Sequence, residues 1–307
     1  MSKRSNRLNL PVVLASLLVF SGPPTNDPSE SSVPTYRRTV SEVRLTFFAA
    51  DAQNRSLDAL RKDDFAIVDN ELIVRNFRSF TKSDEVNLDV VVLLDSSESV
   101  LSRFRGEITD VFHLISRTQW ITDDKLSVIS FSGPEPKLVC STNCRTSSML
   151  DRLSTMKAEG ETPLFDALAF AANFLAQRRL SHVRPVIILF SDGVDTISRI
   201  GAREAMEKIR DSEAQVYVVD VSQARQSSEG TVLLGTLAEV TAGRYFSISE
   251  GATGILDAAL DDLHNGYAVS YELPNHTPGF HAVRILPTRN LNLRFRCREG
   301  YYYPSRP

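Results

Sequence analysis

Asp95, Ser97 and Ser99 stand at alternate positions in Asp95-Ser96-Ser97-Glu98-Ser99, directly after the apolar run Val90–Leu94. A carboxylate and two hydroxyls at that spacing, leaving the end of an extended segment, can aim three oxygens at one point. Such a set suits a hard cation such as Mg²⁺. Two more oxygen-bearing positions have comparable settings. Thr162 precedes a helical pattern in Gly160-Glu161-Thr162-Pro163, and Asp192 follows the apolar run Pro185–Phe190 in Ser191-Asp192-Gly193. Each piece also has an ordinary explanation. Ser97 and Ser99 can cap the helix that follows, Thr162 can cap the helix that Pro163 opens, and Asp192-Gly193 can be a turn. A metal site requires the fold to bring all three stretches together.

The elements around them predict that it does. Leu88–Leu94 reads as a strand buried on both faces, as in a parallel sheet. From there helices and strands alternate. Leu101–Thr118 carries Phe104, Ile108, Val111, Phe112 and Ile115 on one helical face. Leu126–Phe131 is a strand and Lys137–Val139 a short return strand. Met149–Met156 is a weak helix and Leu164–Arg179 a strong one. Pro185–Phe190 is a buried strand, Ala202–Arg210 a helix, Val216–Val221 a strand, Thr231–Val240 a helix, Arg244–Ile248 a strand and Ile255–Leu263 a helix. This alternation predicts an α/β fold with a doubly wound, mostly parallel sheet. Ligands of such sheets bind beyond the carboxyl ends of the strands, where Asp95 and Asp192 fall.

The chain resembles the von Willebrand factor A domain family at three motifs, DSSES, GETPLFDAL and LFSDGVDT. Their order and spacing match that family's metal-ion-dependent adhesion site, built from DxSxS, a separate Thr and a separate Asp. The resemblance implies hydroxyl ligands from Ser97, Ser99 and Thr162, with Asp95 and Asp192 acting directly or through water. It implies Mg²⁺ as the ion, with Mn²⁺ or Ca²⁺ served by the same oxygens. Hydroxyl donors leave such an ion electrophilic, with a position for an acidic group of a partner protein. Glu98 is a departure, since family members usually carry Gly there. DDFAIVDNELIVRNF and RFRCREGYYYP also look like the flanks of exported, bacterial VWFA-related proteins of acidobacterial type, which extends the resemblance to roughly residues 36–304.

The flanks themselves read as β structure. Val43, Leu45 and Phe47 alternate with polar residues, and Phe65–Val68 and Leu72–Val74 flank the hairpin turn Asp69-Asn70-Glu71. Tyr267–Tyr271, Ala282–Ile285 and Leu293–Arg296 follow the central region. Each flank is too small to bury a core alone, so the two are expected to join in one sandwich-like β-module. The expected organisation is a signal peptide at 1–21, a linker at 22–35, an N-terminal β-segment at 36–84, a VWA domain at 85–265 and a C-terminal β-segment at 266–307.

Lys3, Arg4 and Arg7 followed by the apolar Leu8–Phe20 form an export signal too short to be an ordinary spanning helix. The protein is expected in the periplasm or secreted, with an N-terminal inner-membrane anchor as the alternative. No later segment reads as transmembrane. Cys140 and Cys144 are either bridged or two thiols of one loop, and Cys297 is the odd one out. The net charge of -3 with mixed signs gives no basic stripe for nucleic acid. Asn54-Arg-Ser and Asn275-His-Thr match glycosylation sequons. The histidines 113, 182, 264, 276 and 281 are dispersed, His113 in a helix and the others in loops or ends. With no G-x-S-x-G, H-E-x-x-H or Gly-rich phosphate loop, a hydrolase has little support. The expected function is non-catalytic, metal-mediated adhesion to another protein. The alternative is an envelope scaffold with a vestigial metal site.

Overall fold

The computed structural model describes residues 42–303 except 54, 58, 83–86, 117–123, 142–143, 145, 179–182, 223–227, 249–258 and 260–261. The signal and linker segments, most of the expected 255–263 helix, Asn54 and His182 lie outside the described residues.

The centre is a six-stranded sheet, built on β5 (Asn87–Asp95). Beside β5 lie β6 (Lys125–Phe131) and β8 (Val183–Ser191), with β9 (Gln215–Asp220) and β10 (Tyr245–Ser247) beyond β8, and β7 (Lys137–Cys140) at the other edge. All pairings are parallel except β7 on β6. Alternation along each strand feeds two cores, because successive side chains point to opposite faces. Val90, Val92 and Leu94 join Val186, Ile188 and Phe190 beneath α1 (Phe104–Ser116) and α2 (Ser147–Thr155). Val91 and Leu93 join Ile187 and Leu189 under α3 (Leu164–Gln177), α4 (Ala202–Ser212) and α5 (Glu229–Val240). Cys140 and Cys144 are joined as a disulfide at the end of β7. Cys297 is free, and burial pushes its thiol up to about 11, which keeps it protonated and unreactive at neutral pH.

The flanks interleave. One four-stranded sheet runs β13-β1-β11-β4, comprising Arg294–Cys297, Glu42–Ala50, Tyr267–Glu272 and Ser79–Lys82. The other runs β14-β12-β2-β3, comprising Gly300–Tyr303, Gly279–Pro287, Phe65–Asp69 and Leu72–Val74. Each sheet takes two strands from either flank, so neither flank has a complete sheet alone. Between the sheets Phe47 packs on Phe65 and Tyr267 at centroid distances of 5.0 and 5.6 Å. One detail adds to the sequence expectation and one departs from it. The tail Gly300–Tyr303 is a strand, β14, paired along β12. His281 belongs to β12 and is buried, not in a loop or end, because β12 begins at Gly279 and carries that position into the sandwich.

Candidate functional site

Three loops meet at the carboxyl ends of β5 and β8 and at the start of α3. Asp95, the last residue of β5, is fully buried. Its Oδ1 accepts the Ser97 backbone N–H at 3.0 Å, which curls the chain back over the strand end. Its Oδ2 accepts the Ser191 hydroxyl at 2.8 Å, so the ends of β5 and β8 are tied directly. Ser97 Oγ and Ser99 Oγ are 3.0 Å apart. Ser97 is buried, whereas Ser99 and Glu98 are exposed. Glu98 N–H donates to the Gly160 carbonyl at 2.9 Å, and Glu159 N–H to the Ser96 carbonyl at 2.8 Å. These bonds stitch the 95–99 loop to the segment bearing Thr162. Thr162 is buried, and its N–H donates to Thr196 Oγ1 at 2.7 Å. The Thr196 N–H returns to the Thr162 carbonyl at 2.9 Å, which joins the loop after Asp192.

Helix capping does not account for the hydroxyls. Ser97 flanks the 3₁₀ turn Glu98–Val100 without a side-chain cap bond. The cap position of α3 is Pro163, also without one. Asp192 does form a local turn, with Oδ1 accepting the Val194 N–H at 3.1 Å. It also raises the Asp95 pKa, which burial in the main pushes up to about 6. Hydrogen bonds from Ser97 and Ser191 act against that rise.

Sequence reasoning missed three contributors. Ser191 bridges the strand ends, its hydroxyl also accepting the Gly193 N–H at 3.1 Å. Asp166, in the first turn of α3, accepts the Arg199 N–H at 3.1 Å and the Ile200 N–H at 3.2 Å, holding the far end of the third loop. Glu107 of α1 is fully buried with both carboxylate oxygens unpartnered. Burial first, then the charges of Asp95, Asp110 and Asp192 against Arg103, push it up to about 9. A polar residue at a core-facing position of α1 was the available signal.

Gly193 shows how tightly the rim is built. Its φ is +79°, and a Cβ there would stand 2.5 Å from the Gly230 carbonyl oxygen at the start of α5. Gly193→Ala is expected to cost about 1–3 kcal/mol in urea unfolding, through overpacking on top of an unfavourable φ. An unchanged midpoint would refute this contact.

Among the described residues no group of three or more His, Cys, Asp or Glu is placed to hold a metal. A cation at this rim would therefore draw on hydroxyls beside Asp95 and Asp192. The residues fit one in two respects. Ser97 and Ser99 present adjacent hydroxyls beside a buried carboxylate, and Glu107 adds a buried carboxyl whose oxygens have no partner.

A mostly parallel sheet with helices on both faces and a hydroxyl–carboxylate rim at its carboxyl ends defines the class of fold. The family model of the von Willebrand factor type A domain matches residues 89–258, more than half of the chain, and the protein belongs to that family. Similar solved structures include an aerotolerance-related membrane protein from Bacteroides fragilis, at 20% identity and a TM-score of 0.45, covering 58% of this chain and 98% of that one. BatB from Bacteroides thetaiotaomicron shows 18% identity and a TM-score of 0.45 over 58% of this chain and 98% of its own. The D319A mutant of the PilB minor pilin from Streptococcus sanguinis shows 12% identity and a TM-score of 0.46, over 59% of this chain and 62% of its own. No curated protein matches the chain. The family membership supports a role in protein–protein interaction.

Proposed function

We propose that this protein binds a partner protein, without turnover, through a divalent cation held at the Asp95 rim. Ser97, Ser99 and Thr162 would hold the ion with their hydroxyls, and Asp95 and Asp192 directly or through water. A bound Mg²⁺ supplies an electrophilic position for an acidic side chain of the partner. The observation that carries this reading is the stitching of three loops around a buried Asp95 carboxyl. Glu98, between Ser97 and Ser99, is exposed, and its charge would oppose an acidic partner. The disulfide between Cys140 and Cys144 and the N-terminal export pattern support placement outside the cytoplasm, in the periplasm or secreted. No helix among the described residues is long and apolar enough to cross a membrane.

Calorimetric titration of the protein with MgCl₂ and MnCl₂ tests this. One saturable site is expected, lost in both Asp95→Ala and Thr162→Ala. Binding retained in both variants would overturn the assignment. Absence of binding to the wild-type protein would favour the scaffold reading.

The raised pKa of Asp95 adds a pH dependence. Ion binding needs the carboxylate, and a carboxyl pushed up to about 6 is mostly ionised at pH 7 and mostly protonated at pH 5. Affinity for Mg²⁺ should therefore fall about tenfold from pH 7 to pH 5, by proton competition at this group alone. A flat profile over that interval would show that Asp95 does not take part.

A further inference from the structure

At the opposite end of the parallel strands, where β8 and β9 begin, the sandwich and the central sheet enclose a cleft of about 560 Å³. A second hollow of about 340 Å³ shares Glu42, Arg44, Arg210, Glu213 and Arg298 with it, so the two form one trough along the seam. The larger volume falls within the range of small-molecule sites.

The lining is rich in arginine. Arg44, Arg78, Arg184, Arg210 and Arg298 face it, against Glu42 and Glu213, with Asp211 in the second hollow. Arg44 lies 3.9 Å from Glu42 and Arg298 3.4 Å from Glu213, while Arg78 pairs at 3.5 Å with Glu272. Arg210 is held by rings, its guanidinium 5.4 Å from the centroid of Phe280 and 5.8 Å from that of Tyr302. Arg184 is buried at the start of β8 and donates to the Leu263 carbonyl; burial lowers its pKa, while nearby Asp262 and Asp124 act in the opposite direction.

Gln215, the first residue of β9, supplies an independent observation. It is 4% exposed, and neither its Nε2 nor its Oε1 has a hydrogen-bond partner. The buried Nε of Arg298 also has none. An amide buried with both ends unmet is a rare arrangement in a folded protein and calls for a polar group that is bound there. It offers one donor face and one acceptor to the same guest. Guanidinium forks match the geometry of an oxyanion.

We propose that this seam binds a small organic anion, its carboxylate or phosphate on the arginines and a neutral hydroxyl or amine on the Gln215 amide. The site draws Arg44 from the N-terminal flank, Arg210 and Gln215 from the central domain and Arg298 from the C-terminal flank. Its occupant clamps the sandwich to the sheet, independently of the metal rim.

Malate and glycerol 3-phosphate serve as probes, each carrying an oxyanion and a hydroxyl. They are titrated calorimetrically into the full-length protein at fixed ionic strength, beside Gln215→Leu and Arg210→Gln. Saturable binding of at least one probe is expected, weakened about tenfold or more in both variants. Binding of malate alone assigns a carboxylate ligand, and of glycerol 3-phosphate alone a phosphate ester. Without ligand, Gln215→Leu is expected to raise Tm by about 2–4 °C, because it removes the unmet amide. No saturable binding of either probe, or binding that both variants leave unchanged, overturns the proposal. A lower Tm for Gln215→Leu with binding intact also does so, since it makes Gln215 a structural residue.

Discussion

Asp69→Ala is expected to destabilise the protein by about 3–5 kcal/mol, the cost of breaking a buried charged network from one side. Asp69 is fully buried at the end of β2. Its Oδ2 accepts the hydroxyls of Tyr271 at 2.8 Å and Tyr301 at 2.6 Å. Its Oδ1 lies 3.2 Å from His281 Nδ1, and His281 Nε2 donates to the Thr277 carbonyl at 2.8 Å. Burial and the carboxylate push the pKa of both tyrosines upward, so their hydroxyls remain donors. Tyr271 belongs to β11 of one sheet, whereas Asp69, His281 and Tyr301 belong to the other. The network therefore ties together the two sheets and the two chain flanks. Truncating Asp69 removes the acceptor of both tyrosine hydroxyls and the partner of His281 Nδ1 at once. Tyr271→Phe removes one donor, and a loss of only about 1–2 kcal/mol is expected. Urea unfolding followed by circular dichroism measures both. A loss under about 1 kcal/mol for Asp69→Ala would show that the network has water in it and tolerates the change.

Glu107→Leu should act in the opposite direction. A carboxyl of ordinary value 4.5, pushed up to about 9, is protonated at pH 7 in the folded protein and ionised in the unfolded chain. Holding it protonated there costs about 3 kcal/mol. The sign follows from the linkage. Below the unfolded value both states carry the proton and the group is neutral to stability. Stability is lost as pH rises from about 4.5 to about 9, and the cost is constant above that. Leu at a core-facing position of α1 removes the ionisation and the unmet oxygens without loss of helix propensity. In EDTA the variant is expected to gain about 3 kcal/mol at pH 7, with the gain shrinking towards pH 4.5. A destabilised Glu107→Leu, or a gain independent of pH, would mean that the carboxyl has a partner in solution.

The central sheet was legible because its strands carry a local signature. A run such as Val90–Leu94, apolar at every position, has to be buried on both faces, and the helices between the runs supply the cover. The placement of the candidate site residues was legible for a related reason. Asp95 ends a strand, Asp192 follows one directly and Thr162 lies just before a helix, so the rule for parallel sheets places the two aspartates on one rim. Other features depended on partners distant in sequence. Cys140 and Cys144 could equally have been thiols, because four residues of separation do not fix the turn that brings their Cα atoms to 5.6 Å. Gly300–Tyr303 becomes a strand only because β12 offers it an edge. That both carboxylate oxygens of Glu107 are buried without a partner is likewise set by the packing around α1.

The sequence by itself determined the parallel α/β core, the order of its elements and the oxygen-bearing residues at their ends, since these follow from periodicity and from residues adjacent in the chain. Only the tertiary structure decided how the flanks interleave as β13-β1-β11-β4 and β14-β12-β2-β3. It alone knotted Asp69 to His281, Tyr271 and Tyr301, and left Glu107 and Gln215 unmet. The reason is physical: strand pairing and burial of a lone polar group are properties of contacts between segments some two hundred residues apart, as in Asp69 with Tyr271. No local pattern encodes the register in which such segments meet.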